Sequence, residues 1–180
     1  MRKSFVTVVS VLMLSALPAS ADPATFTSAT EFFQFRMPNG WSATENAKEG
    51  AVSASFAPAG QTRAAMRITN GETKLADEPA EAQHKALRAH AASMTSGGML
   101  KSAMPDMTIE DKGVEETRVG GAFAVRRVYV ASDASGPVRT FVYEHFIQSG
   151  LWFAVSYAYA AGDSESKTGA EALLASFTFA

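Results

Sequence analysis

The 180-residue chain has no cysteine. That absence excludes disulfides, zinc ribbons, thiol nucleophiles, iron-sulfur clusters, dithiol redox motifs and a lipid anchor on an N-terminal cysteine. Histidine is scarce, with three in the whole sequence, so few imidazole bases or ligands have to be placed. Charged residues make up only 19%, with 16 basic against 18 acidic groups, which argues against a nucleic-acid-binding surface and against a disordered polyelectrolyte. The sequence also lacks a Gly-x-Ser-x-Gly elbow, a His-Glu-x-x-His helix, a phosphate-binding loop and a calcium-loop signature. What is present is 47% hydrophobic residues, enough for a packed core.

The N-terminus reads as a cleavable leader. Arg2 and Lys3 precede an apolar run from Phe5 to Leu17, Pro18 breaks it, and Ala19-Ser20-Ala21 offers small residues for cleavage. The run falls short of the roughly 18 residues that a membrane span requires. The expectation is a signal peptide over residues 1–21, a mature domain over 22–180, and a periplasmic or secreted location with no membrane span after cleavage. Both basic residues of the leader are then lost, and the mature chain carries 14 basic against 18 acidic groups.

Periodicity supplies the elements. Phe32, Phe33 and Phe35 form a short strand ending at the Met37-Pro38-Asn39-Gly40 turn before Trp41. Residues 51–57 alternate with period two and pair with 63–69 across Pro58-Ala59-Gly60. Asp77 is a candidate cap for a helix reaching Ser96, with Ala80, His84, Leu87, Ala91 and Met94 as its apolar stripe and Gly97-Gly98 as its end. Four strands follow: 108–119, 122–131, 138–148 and 151–160. Gly120-Gly121 is suited to a type I′ turn between the first two. Phe141, Tyr143 and Ile147 fall on one face of the third strand, with Val138, Val142 and Phe146 on the other, so both faces of the sheet need cover. A last helix starts at the cap candidate Asp163, with Ala170, Leu173 and Leu174 inward. The fold class is α+β: a largely antiparallel sheet of about seven strands flanked by helices.

The phrase from Phe33 to Trp41, Phe-Gln-Phe-Arg-Met-Pro-Asn-Gly-Trp, resembles the opening of the PsbP-like superfamily, where a strand runs into a Pro-x-Gly-Trp turn. A central helix, a meander of long strands, and a closing helix followed by Ser176-Phe177 agree with that resemblance. It covers nearly all of residues 22–180 and includes the DcrB-type and LpqN-type bacterial envelope proteins. It implies a three-layer α-β-α sandwich whose members mostly bind other proteins, and sometimes small molecules or ions, with no shared catalytic site to carry over. This chain departs from LpqN-like proteins in lacking the anchor cysteine, and its leader argues against the cytosolic roles found in the superfamily.

Candidate chemistry is thin. His84 and His90 lie on one helix about 120° apart and do not face each other. Glu144 and His145 are strand neighbours that project to opposite faces, so they are no acid-base pair. Met94, Met99, Met104 and Met107 crowd the end of the helix; thioethers select Cu(I), and they also fill irregular gaps in cores. Tyr143, Trp152, Phe153, Tyr157 and Tyr159 either fill the space beneath helices or line a groove. Arg126, Arg127 and Arg139, with Tyr143 and Trp152, are the candidate surface for an acidic partner, against the plainer reading of solvated charge. The expected function is a non-enzymatic envelope module that binds a protein partner and needs no cofactor. The alternatives are a small-molecule or Cu(I) binder and, more remotely, a hydrolase built on His145.

Overall fold

The computed structural model describes residues 24–28, 33–46, 48 and 50–179; the expected leader lies outside the described residues. In chain order the strands are β1 (Thr25–Thr27), β2 (Phe33–Arg36), β3 (Trp41–Asn46), β4 (Ala51–Phe56), β5 (Ala64–Glu72), β6 (Thr108–Val119), β7 (Ala122–Asp133), β8 (Gly136–Gln148), β9 (Leu151–Ala160) and β10 (Thr178–Phe179). The helices are α1 (Ala80–Ser93), α2 (Ser96–Ala103) and α3 (Ser164–Ala175). Seven strands form one antiparallel sheet in the order β3-β4-β5-β9-β8-β7-β6, and β1-β2-β10 form a small second sheet. The α+β class and the helical flanks follow the expectation, but the membership of the large sheet does not. The Phe33–Arg36 segment belongs to the small sheet, and β3, which follows the Gly40 turn, takes the seventh place.

The main core lies on the α3 side. Phe33 and Phe35 of β2 stack on Phe177 at 5.1 and 5.2 Å, and Phe146 stacks on Phe153 at 4.8 Å. Leu173 and Leu174 of α3 and Trp41, Phe56 and Ile68 of the large sheet complete it. Each such buried side chain contributes roughly 1.5–3 kcal/mol. Asp163 caps α3 as its position suggests, accepting from Ser166 N–H at 3.1 Å and from the Ser166 hydroxyl at 2.6 Å. Arg63, just before β5, ties into the same cap through an ion pair with Asp163.

On the opposite face Leu87 and Ala91 of α1 pack on Val125 and Ile147. Asp77 does not cap this helix; Pro79 occupies the N-cap position without a side-chain bond. Nor does the helix run to Ser96 and end on glycines. It stops at Ser93, and Gly97-Gly98 lie inside α2. Two interactions explain the break. The Arg127 guanidinium donates to the carbonyls of Ala91, Ala92 and Met94 at 2.8, 2.9 and 3.2 Å, satisfying the exposed end of α1. A Cβ at Gly97 would lie 2.9 Å from the Tyr129 ring, so glycine here lets α2 seat on β7.

The β6–β7 turn matches its expected type, with Gly120 and Gly121 both at positive φ. Gly120 is further constrained because a Cβ would lie 2.3 Å from the Phe177 carbonyl oxygen. Gly120→Ala is therefore expected to cost about 2 kcal/mol or more in urea unfolding; a midpoint equal to wild type would contradict the packing of this turn under Phe177. Arg127→Ala should cost about 2–3 kcal/mol, since it strips the cap from α1 and removes the guanidinium paired with Asp111. Arg127→Lys should recover less than half of that loss, because an ammonium cannot bridge the same set of carbonyls and carboxylate.

Candidate functional site

Strand periodicity divides the large sheet into two faces with different cover. The registers Thr44↔Ser53, Ser53↔Arg67 and Arg67↔Ser156 place these residues side by side on the α1 face. Helices α1 and α2 pack on β6, β7 and β8, so they cover one half of that face only. Over β3, β4, β5 and β9 the face is an open trough of about 410 Å³, floored by Ser42, Thr44, Ser53, Ser55, Ala65 and Ser156 and walled by Phe141 and Tyr143. Arg67 is the charged side chain among the residues lining the trough, and Arg139 lies on the same face of the neighbouring β8. Both faces of the β8 segment are apolar, as expected, but the helical cover on this side ends before the trough.

The candidate surface residues are separated by the same alternation. Tyr143 and Arg139 share the trough face. Trp152 lies on that face too, beside the end of α1, where its indole N–H donates to His145 Nδ1 at 3.2 Å. Arg127 points to α1 and is held by Asp111 and the helix carbonyls. Arg126 points the other way, toward α3 and Glu144. The three arginines therefore do not form one patch. Of the aromatic group, Phe153, Tyr157 and Tyr159 are core residues on the α3 side.

The histidines separate likewise. His84 stacks on Phe123 with ring centroids 3.9 Å apart. His90 meets His145 at 4.5 Å and Trp152 at 4.9 Å, a cluster that crosses from α1 to the sheet and is not legible from spacing along the chain. Burial, with His90 beside it, holds the His145 imidazole down at about 4. With Nδ1 accepting from Trp152, the neutral ring carries its proton on Nε2. Met99 is 64% exposed on α2, while Met94, Met104 and Met107 are half-buried. Among the described residues no three His, Asp or Glu side chains converge to hold a metal.

On the α3 face sits a buried acid that the sequence reading treated only as the neighbour of His145. Glu144 is 2% exposed, and its Oε2 has no hydrogen-bond partner. Arg126 Nη1 stands 3.7 Å from Oε1, and burial raises the carboxyl to about 7 against the pull of that guanidinium. Tyr157, alongside, is shifted upward by burial and by the Glu144 charge. Polar residues in a strand that otherwise alternates with apolar ones, Arg126 and Glu144 on facing positions, are the signal that points here.

No protein-family model and no curated protein sequence matches this chain. Solved structures do. The chain is similar to CyanoP, the cyanobacterial PsbP of Synechocystis, with 13% identity and a TM-score of 0.56 over 93% of this chain and 99% of that one. It is similar to a protein of Bacteroides thetaiotaomicron, with 12% identity and a TM-score of 0.52; the match covers 88% of this chain but spans about half, 49%, of that longer one. Mog1p, a Ran-binding protein of Saccharomyces cerevisiae, matches with 7% identity and a TM-score of 0.50 over 88% of this chain and 95% of its own. The chain thus has the Mog1/PsbP-like fold: a seven-stranded antiparallel sheet with helices on its two faces.

Proposed function

We propose that this chain is an exported, non-enzymatic module of the cell envelope or periplasm that docks a protein partner on the open half of its sheet. The observation that carries the reading is the trough over β3, β4, β5 and β9, left open among the described residues, with its small hydroxyl floor and aromatic wall and with Arg139 on the same face. Small floor residues leave room for a partner's side chains. Arg139, on the same face beside the aromatic wall, complements an acidic, extended segment. Mog1p, on the same fold, is a Ran-binding protein, so the scaffold is compatible with protein recognition. Export rests on the leader read in residues 1–21.

The non-enzymatic reading draws support from the histidines. A hydrolytic His145 needs a free lone pair near a hydroxyl and a carboxylate orienting its other nitrogen. Here the Nδ1 lone pair is taken by an indole N–H and the ring neighbours are His90 and Trp152.

Two measurements test these statements. A photo-crosslinking residue placed at Ser55 or Ser156, in the full chain in its native envelope, should trap one discrete partner that a control placement at Lys167 on α3 does not. Charge reversal of Arg139 should lower that yield several-fold. Identical products from trough and control, or yield indifferent to the reversal, would end the docking proposal. The second measurement is pH dependence. The folded His145 value, about 4, lies below its ordinary 6.5, so the unfolded chain binds more protons between these limits and stability falls as pH drops from 6.5 to 4. Glu144 works oppositely: raised from 4.5 to about 7, it adds stability as pH falls through that window and offsets the histidine. In Glu144→Gln the unfolding free energy from urea titrations should therefore drop steadily from pH 6.5 to 4, by an amount on the order of 2–3 kcal/mol. A flat profile in that variant would show that His145 is not buried neutral.

A further inference from the structure

We propose that α1 is an acid-released cover: a proton taken up by His145, beneath the helix, detaches α1 from β7 and β8 and lengthens the trough along the sheet. The statement concerns the helix and is independent of what docks in the trough.

His145 lies under α1, 8% exposed, with the exposed His90 of the helix against it at 4.5 Å and Trp152 beside both. Its Nδ1 accepts the Trp152 indole N–H at 3.2 Å, so the neutral ring already carries its proton on Nε2. A second proton has only Nδ1 to occupy, where it would point at the indole hydrogen. Protonation therefore breaks the bond to Trp152 and leaves an imidazolium under apolar cover, which is strongly disfavoured unless a counter-charge meets it.

The surroundings supply none among the described residues. On this face α1 contributes His84, Arg88 and His90, β7 contributes Arg127, and β8 contributes Tyr143. The β9 residues here are the uncharged Trp152, Ala154 and Ser156. The carboxylates of β6 on the same side, Asp111 and Glu116, are already paired with Arg127 and Arg88. Acid thus sets positive charge against positive charge across the interface between helix and sheet.

The helix has a light hold. In its 14 residues only Leu87 and Ala91 are buried. The 12-residue α3 on the other face buries Ser166, Ala170, Leu173 and Leu174. Release of α1 bares Val125, Ile147 and Trp152, which it now covers. His145 and Ile147 follow Phe141 and Tyr143 on one face of β8, so the newly exposed strip continues the aromatic wall of the trough.

The direction follows from the protonation states. With α1 seated, burial and His90 hold His145 at about 4; once solvated, the ring returns to its ordinary 6.5, so the open form binds more protons between these limits and a falling pH favours it. Glu144, on the α3 side, is raised to about 7 by burial and becomes neutral over the same range, which steadies that face.

Hydrogen–deuterium exchange on the full chain tests this, with protection corrected for the intrinsic pH dependence of amide exchange. From pH 7.5 to 5 the protection of α1 should fall about tenfold or more, while that of α3 does not fall. His145→Gln removes the titrating ring and should hold the α1 change below about threefold. His90→Glu, at an exposed position, sets a carboxylate against His145 and should likewise hold it below about threefold, because the imidazolium then ties the helix down. Near-ultraviolet circular dichroism at pH 7.5 establishes that both variants are folded. The proposal is overturned if α1 keeps its protection at pH 5, if α1 and α3 lose protection together, or if folded His90→Glu loses α1 protection as wild type does.

Discussion

A seven-stranded antiparallel sheet with apolar side chains on both faces has to exclude water from two sides, and this chain covers them unequally. On one side α3 and the β1-β2-β10 sheet lie over a core of stacked phenylalanines. On the other, α1 and α2 reach only across β6, β7 and β8. Where cover ends, the floor changes from Val125 and Ile147 to serine, threonine and alanine, side chains that tolerate exposure. Among the described residues the trough is thus the consequence of too little helix for too wide a sheet, and it gives the molecule a broad concave surface.

Two adjacent residues in β7 show how strand alternation distributes charge between these sides. Arg127 faces α1, where its planar fork serves the helix terminus and Asp111 together; that carboxyl is held below its usual range, chiefly by the hydrogen bond from Arg127. Arg126 faces α3, where the nearest carboxylates include the buried Glu144. A buried ion pair is weak evidence for stability because desolvation opposes the Coulombic gain. Glu144 bears this out in its raised carboxyl and unmatched oxygen. One arginine holds a helix terminus, and the other borders a buried acid with one oxygen unpaired.

Much of the fold was legible in advance. The long strands β6 to β9 came from period-two alternation and the glycine turns between them, and α3 from Asp163 and its apolar face. The Pro-x-Gly-Trp turn after β2 supported the resemblance to PsbP-like proteins, and the fold agrees with it. The small sheet was not separable from the large one, because Phe33 and Phe35 alternate as either strand would. The end of α1 was misplaced for a different reason. Glycines commonly stop helices, whereas here the terminus is set by an arginine 33 residues further on and the glycines serve to approach Tyr129.

Local patterning alone determined the α+β class, the antiparallel meander, the positive-φ turn at Gly120-Gly121 and the cap on α3, since each depends on residues within a few positions of one another. Tertiary structure decided which half of a face stays open, that His90 meets His145, that Arg126 and Arg127 serve different layers, and that Glu144 is buried with one oxygen unpaired. Those features depend on sheet order and on the seating of helices over strands. Such long-range contacts arise from packing the whole chain at once, and no short stretch of sequence encodes them.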